Sequence, residues 1–289
     1  YEDSGWASKN ASSTPPIESL PELNVEIASG NEYREFLSDQ AAEAICEAWE
    51  KRSAGGVSYG YGYATVGQSR RVVYFDDTSK RDGQQASGFR VNGKAMMYGN
   101  TSDDLFSHYE AGTDTFVNLL FTFDENDKLT GAIINAPAPS QNSEHRFMLS
   151  ADYWHDTRVA IRKEFGDIFI LPQCAASGDL SPRLMHYKQA QERRFNLKYG
   201  EGVLDKDLAE RKDIAERLAV CFKEVYSWAK KDIQKDLPVE HTVKTVELSR
   251  RMISEDELEF AKKNLEPLMK EEFKQDGTAL ERLNAISQL

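Results

Sequence analysis

Residues 129–186 read LTGAIINAPAPSQNSEHRFMLSADYWHDTRVAIRKEFGDIFILPQCAASGDLSPRLMH, and this stretch decides the fold. Leu129 to Asn135 is an apolar run of strand length, followed by a Pro/Ser/Asn loop that holds Glu144 and His145. From about Asp152 to Phe165 the apolar positions recur at helical spacing, and Ile168 to Leu171 is a second apolar strand closed by Cys174-Ala175-Ala176-Ser177-Gly178-Asp179-Leu180-Ser181-Pro182. Strand, helix and strand with short connections make a βαβ unit, which places two parallel strands side by side. Ligands of such sheets bind beyond the carboxyl ends of the strands, where Glu144, His145, Asp179 and Ser181 fall.

Outward from this unit, the pattern predicts an α/β fold with a mixed β-sheet core, flanking helices and a C-terminal helical insert or subdomain. Residues 1–30 carry Pro15, Pro16 and Pro21 without a period and read as an extended arm; 31–187 read as the α/β core and 188–289 as the helical part. Tyr33, Phe36, Leu37, Ala41, Ile45 and Trp49 form a helical stripe over Glu32 to Arg52, with Asn31 as the expected cap and Gly55-Gly56 as the stop. Val57 to Val66 alternates with period two, setting Tyr59, Tyr61 and Tyr63 against Gly60 and Gly62. The glycines lack the Gly-Lys-Ser/Thr ending and the Gly-x-Gly-x-x-Gly spacing of phosphate loops, so they predict a face open to a close neighbour.

Arg71 to Phe75 reads as a strand, Thr78 to Arg90 and Gly99 to Asp114 as polar loops, and Phe116 to Phe123 with Leu129 to Asn135 as a hairpin. Later, Leu208 to Ala229 carries a helical stripe, Ser254 and Glu257 make a capping box, and Pro267 is expected to kink or restart the last helix. The mixed charges of this half read as solvated helix faces.

Composition narrows the partners. With 48 acidic and 36 basic residues the net charge is −12, which argues against nucleic acid and anionic membranes and is compatible with a neutral or cationic small molecule. No segment reaches the roughly 18 to 20 apolar residues of a membrane span, and a chain starting Tyr1-Glu2-Asp3 is not expected to start at a native terminus. Cys46, Cys174 and Cys221 are far apart, odd in number and without a Cys-x-x-Cys, which excludes a disulfide framework and a thiolate zinc site within this chain; Cys46 and Cys221 lie on apolar helix stripes and are expected to be buried.

The Gly178-Asp179-Leu180-Ser181-Pro182 run resembles the Gly-Asp-x-Ser-Pro motif of the neutral/alkaline ceramidases, zinc-dependent amidases. Met97-Tyr98-Gly99-Asn100-Thr101, Pro139-Ser140-Gln141 with Glu144-His145, and Ser150-Ala151-Asp152-Tyr153-Trp154 are similar to further runs, in the same order, of ceramidase-like bacterial proteins of unassigned substrate. The resemblance covers about Tyr33 to Tyr187. It implies an amide hydrolase acting on an N-acyl or lipid amide, with Ser181 as the catalytic residue, Asp179 beside it and zinc as cofactor. It also points to an extracytoplasmic protein.

The chain departs from the family where a zinc-binding histidine is expected, at Ala138-Pro139, and the resemblance passes that role to His145. No His-x-His segment occurs, and the downstream Glu and Tyr ligands have no counterpart, so the remaining ligands are expected outside this chain and the chain alone is expected to be inactive. A non-catalytic binding protein of the same fold is the alternative.

The residues by themselves allow plainer roles. Ser181 before Pro182 is the usual start of a helix, with the hydroxyl as cap and the helix end available to an oxyanion. Asp179 suits an Asx turn, Asp152 the first turn of a helix, and His145 a hydrogen-bonded loop position. His155 is expected to be exposed.

Overall fold

A computed structural model describes residues 29–82, 91–144, 149–249 and 252–270. Ala54–Thr245 form one compact unit, and Tyr1–Ser53 with Val246–Leu289 form another.

The smaller unit presents two helices among its described residues, α1 (Gly30–Glu50) and α5 (Glu255–Lys270). Ser29, not Asn31, caps α1: its hydroxyl accepts from Glu32 N while the Glu32 carboxylate accepts from Ser29 N, a complete capping box. Ser254 and Glu257 form the expected box on α5, which runs on through Pro267. Cys46 is exposed, contrary to expectation, because no residue of α1 is buried.

In the larger unit the strands run in the order β1 (Gly55–Tyr63), β2 (Gln68–Ser69), β3 (Arg71–Tyr74), β4 (Val91–Asn92), β5 (Ala95–Met97), β6 (Phe106–Tyr109), β7 (Phe116–Asp124), β8 (Leu129–Ala136), β9 (Phe169–Cys174) and β10 (Leu180–Ser181). Helix α2 (Tyr153–Phe165) joins β8 to β9, and α3 (Lys188–Tyr199) and α4 (Lys206–Ala229) follow β10. The central sheet has the order β1-β7-β8-β9, with β7–β8 an antiparallel hairpin and β8–β9 parallel across α2, so the fold is α/β with a mixed sheet. A second sheet has the order β4-β5-β3-β6, and β10 pairs with β2 in a short ribbon. Strand β6 lies inside the stretch expected to be a loop from Gly99 to Asp114; four residues paired to a distant strand leave little local pattern to read.

One face of the central sheet carries the core. Val117, Leu119, Phe121, Phe123, Ala132, Ile134 and Ile170 meet Ile161 of α2 and Ile214, Leu218, Phe222 and Val225 of α4. Phe222 sits at the centre, its ring 5.2 Å from Phe121 and 5.0 Å from Phe165. The glycines of β1 let α4 approach: a Cβ on Gly60 would lie 2.5 Å from Val225 Cγ1, and one on Gly62 would lie 2.7 Å from Cys221 Sγ. The opposite face of β1 leaves Tyr59, Tyr61 and Tyr63 exposed.

Helix α4 is not uniformly solvated on its polar side, as its mixed charges suggested. Glu210, Arg211 and Asp213 are all buried. Burial alone would raise the Asp213 carboxyl, but Arg194, Lys198 and Arg217 outweigh it and hold the group down at about 2. That cluster ties α3 to α4.

Candidate active site

The carboxyl ends of the parallel pair β8 and β9 open into a knot of hydrogen bonds. Ala136 O accepts from both Ala138 N and Ala175 N, so the chain turns just after β8 while its pairing with the β9 side continues one residue past Cys174. Helix α2 then starts at Asp152, which caps it in place of merely facing its dipole: Oδ1 accepts from Tyr153 N at 2.8 Å and Oδ2 from Ser143 N at 2.7 Å. Asp152 has φ 53° and ψ −146°, a conformation costing about 1–3 kcal/mol in a residue with a Cβ. Those two bonds, and the Ser150 hydroxyl accepting from Asp152 N at 3.0 Å, keep it there.

The serine motif lies against this loop. A Cβ on Gly67 would meet Pro137 O at 2.4 Å and Leu180 Cβ at 3.3 Å, so the β2–β10 ribbon packs directly on the end of β8. Ser181 is fully buried, and its Oγ accepts from Arg183 N at 3.3 Å. It belongs to a two-residue strand paired with Gln68, and the next helix starts only at Lys188. The helix cap expected at Ser181, and the helix end expected to face an oxyanion, are therefore absent; pairing with β2 holds the segment extended. Asp179 is exposed, its carbonyl accepts from Arg70 N at 2.9 Å, and its carboxylate closes no Asx turn.

Long-range contacts draw together the stretches singled out in the sequence. Arg183 Nη1 pairs with Glu144 Oε1 at 3.0 Å, linking the serine segment to the loop after β8. Tyr98 N donates to Arg70 O at 2.7 Å and Thr101 Oγ1 to Met185 O at 2.9 Å, so Met97–Thr101 is tied to the residue between β2 and β3 and to the segment that follows the serine strand. Tyr153 Oη donates to Ala138 O at 2.6 Å, and burial pushes that phenol well above its usual range. Ser143 N on Asp152 completes the link to Ser150–Trp154.

Other members of the knot were not legible. Asn142 Nδ2 donates to Glu210 Oε2 at 3.0 Å, and Arg211 Nη1 reaches Ser143 Oγ at 3.4 Å while its other nitrogens hold Asp156 at 2.8 and 2.9 Å. Glu210 and Arg211 come from α4, far along the chain, with no spacing that marks them. Arg183 carried a signal only in its place next to Pro182.

His145 lies outside the described residues. His155 is exposed as expected, and His186 packs its ring 5.3 Å from Phe106. Among the described residues no group of three or more His, Cys, Asp and Glu side chains is arranged to hold a metal ion. Ala138 is fully buried and its carbonyl is taken by Tyr153. The described residues by themselves do not fit a zinc ion.

No protein-family model and no curated protein matches the chain. Among solved structures it is similar to the neutral ceramidase of Pseudomonas aeruginosa, at 19% identity and a TM-score of 0.42, over 66% of this chain and 25% of that one. A ceramidase complexed with C2 aligns at 18% identity and a TM-score of 0.35, over 61% of this chain and 22% of the other. The chain thus spans about a quarter of the length of these enzymes. Likeness at this level decides neither fold nor activity.

Proposed function

We propose that residues 129–186 belong to the active region of a zinc-dependent amide hydrolase similar to the neutral ceramidases, acting on an N-acyl or lipid amide. Ser181 is its catalytic residue, Asp179 the neighbouring acid of the motif, and His145 the metal ligand from this stretch. The remaining ligands come from polypeptide outside the chain, and the chain alone is inactive. One observation carries the reading: the loop after β8 is bonded to Asp152 and Tyr153 and, through Glu144, to Arg183 beside the serine run, with Thr101 tied to Met185 of that same segment. The carboxyl end of a parallel strand is where α/β sheets place their ligands. In this reading the knot fixes the backbone on either side of Ser181, which is what an attacking hydroxyl requires of its support.

A binding module without amidase chemistry is the second reading, favoured by the complete burial of Ser181 and by Ala138 in place of a ligating residue. Metal analysis and amide hydrolysis by the intact protein separate the two. The enzyme reading expects about one zinc per chain and a loss of about 10³-fold or more in kcat for Ser181→Ala. Absence of zinc together with unchanged hydrolysis in Ser181→Ala overturns it.

A further inference from the structure

Asn142 and Glu210 meet at the bottom of the knot, with 0% and 2% of their surfaces exposed. Asn142 Nδ2 donates to Glu210 Oε2 at 3.0 Å, which accounts for one atom of each planar group. The atoms left over, Asn142 Oδ1 and Glu210 Oε1, are both buried and have no donor among the described residues. Two acceptors facing no donor in a dry interior are costly, and an ionised carboxylate in that position is costlier still.

The charges around Glu210 do not remove the difficulty. Lys206 Nζ stands 3.9 Å from Oε1, beyond hydrogen-bond reach, and is itself largely exposed. Arg183 faces the carboxyl from the serine segment, but its Nη1 is held by Glu144 and its Nη2 reaches no acceptor among the described residues. Asp207 on α4 adds repulsion, and Arg211, one residue on, is committed to Asp156 of α2. Burial is the largest influence and, against Lys206, Asn142 and Arg183, leaves the carboxyl raised above its ordinary 4.5.

A proton on Oε1 supplies the donor that the two leftover acceptors lack. We propose that Glu210 is carried as the neutral acid, and that its Oε1–H donates to Asn142 Oδ1 while Asn142 Nδ2–H donates to Oε2, closing a two-bond acid–amide pair. The pair latches the loop after β8 to α4. Asn142 is followed by Ser143, whose amide serves the Asp152 cap, and by Glu144, which grips Arg183 two residues beyond Ser181. When the proton leaves to solvent, one of the two bonds is lost and a bare carboxylate is buried, so the latch loosens. The sign follows from the direction of the shift: the stabilisation is whole below 4.5 and disappears as pH rises through the higher value of the folded state. The latch stands whether or not the chain is part of an amidase.

Infrared spectroscopy of this chain tests it, because the carbonyl stretch of a neutral carboxylic acid is separate from that of a carboxylate. One neutral acid band is expected to remain in the wild type after the ordinary carboxyls have ionised, and to be missing in Glu210→Gln. The variant keeps both bonds, since the new amide accepts from Nδ2 and donates to Oδ1, so it is expected to fold and to lack this one titration. Exchange of the Ser143 amide, corrected for its intrinsic rate, is expected to rise about tenfold per pH unit past the folded value in the wild type and to stay flat in Glu210→Gln. A band that survives the substitution, or exchange that rises equally in both proteins, overturns the proposal. Should the variant fail to fold, the wild-type titration alone suffices: no neutral acid band left once the ordinary carboxyls have ionised refutes the latch.

Discussion

The two faces of β1 differ more than their alternation alone would require. On one, Gly60 and Gly62 admit α4 so closely that an added methyl would overlap Val225, Trp228 and Cys221. On the other, Tyr59, Tyr61 and Tyr63 stand exposed; Tyr63 lies against Phe116 with ring centroids 5.1 Å apart, and Tyr59 donates to Asn118 at 2.7 Å. The same backbone serves both, so the contrast isolates what packing adds to a strand. Where a helix presses on the sheet, the absence of a side chain is structural; where nothing among the described residues covers it, even an aromatic ring has little to lose.

Substitutions sharpen or break this contrast. Phe222→Ala removes the ring at the centre of the covered face and is expected to cost about 3–5 kcal/mol in urea unfolding. Gly60→Ala pushes a methyl to 2.5 Å from Val225 and 2.7 Å from the Trp228 ring, and is expected to cost about 1–3 kcal/mol in the same measurement. Tyr61→Thr keeps a strand-favouring residue on the open face and is expected to cost less than about 1 kcal/mol. If Tyr61→Thr proved as damaging as Gly60→Ala, the open face would be covered in solution and the contrast would fail.

Much of the architecture is written locally. The βαβ unit follows from two apolar runs around an amphipathic stripe, and β7–β8 and the box at Ser254 follow from short-range pattern in the same way. The close approach at Gly60 and Gly62 was legible too, because a strand that alternates tyrosine with glycine has one face without side chains. Misreadings arose where several local readings fitted. Ser29-x-x-Glu32 carries the box signature, yet Asn31 stood nearer the stripe. Ser181-Pro182 suits a helix start, but pairing of Leu180 and Ser181 with Ser69 and Gln68 keeps it extended.

The knot divides the same way. Which segments carry polar chemistry was legible as motifs, and their order along the chain predicted one end of the sheet. Their joining by Arg183 to Glu144, Thr101 to Met185 and Asn142 to Glu210 was not, because residues up to 84 positions apart meet only after the strands have set their distances. The sequence by itself determined the α/β class and the parallel pair, since helix and strand periods are properties of neighbouring residues. Tertiary structure alone decided that Ser181 is buried in a strand and that Glu210 is taken out of water, because burial is set by what packs from far along the chain.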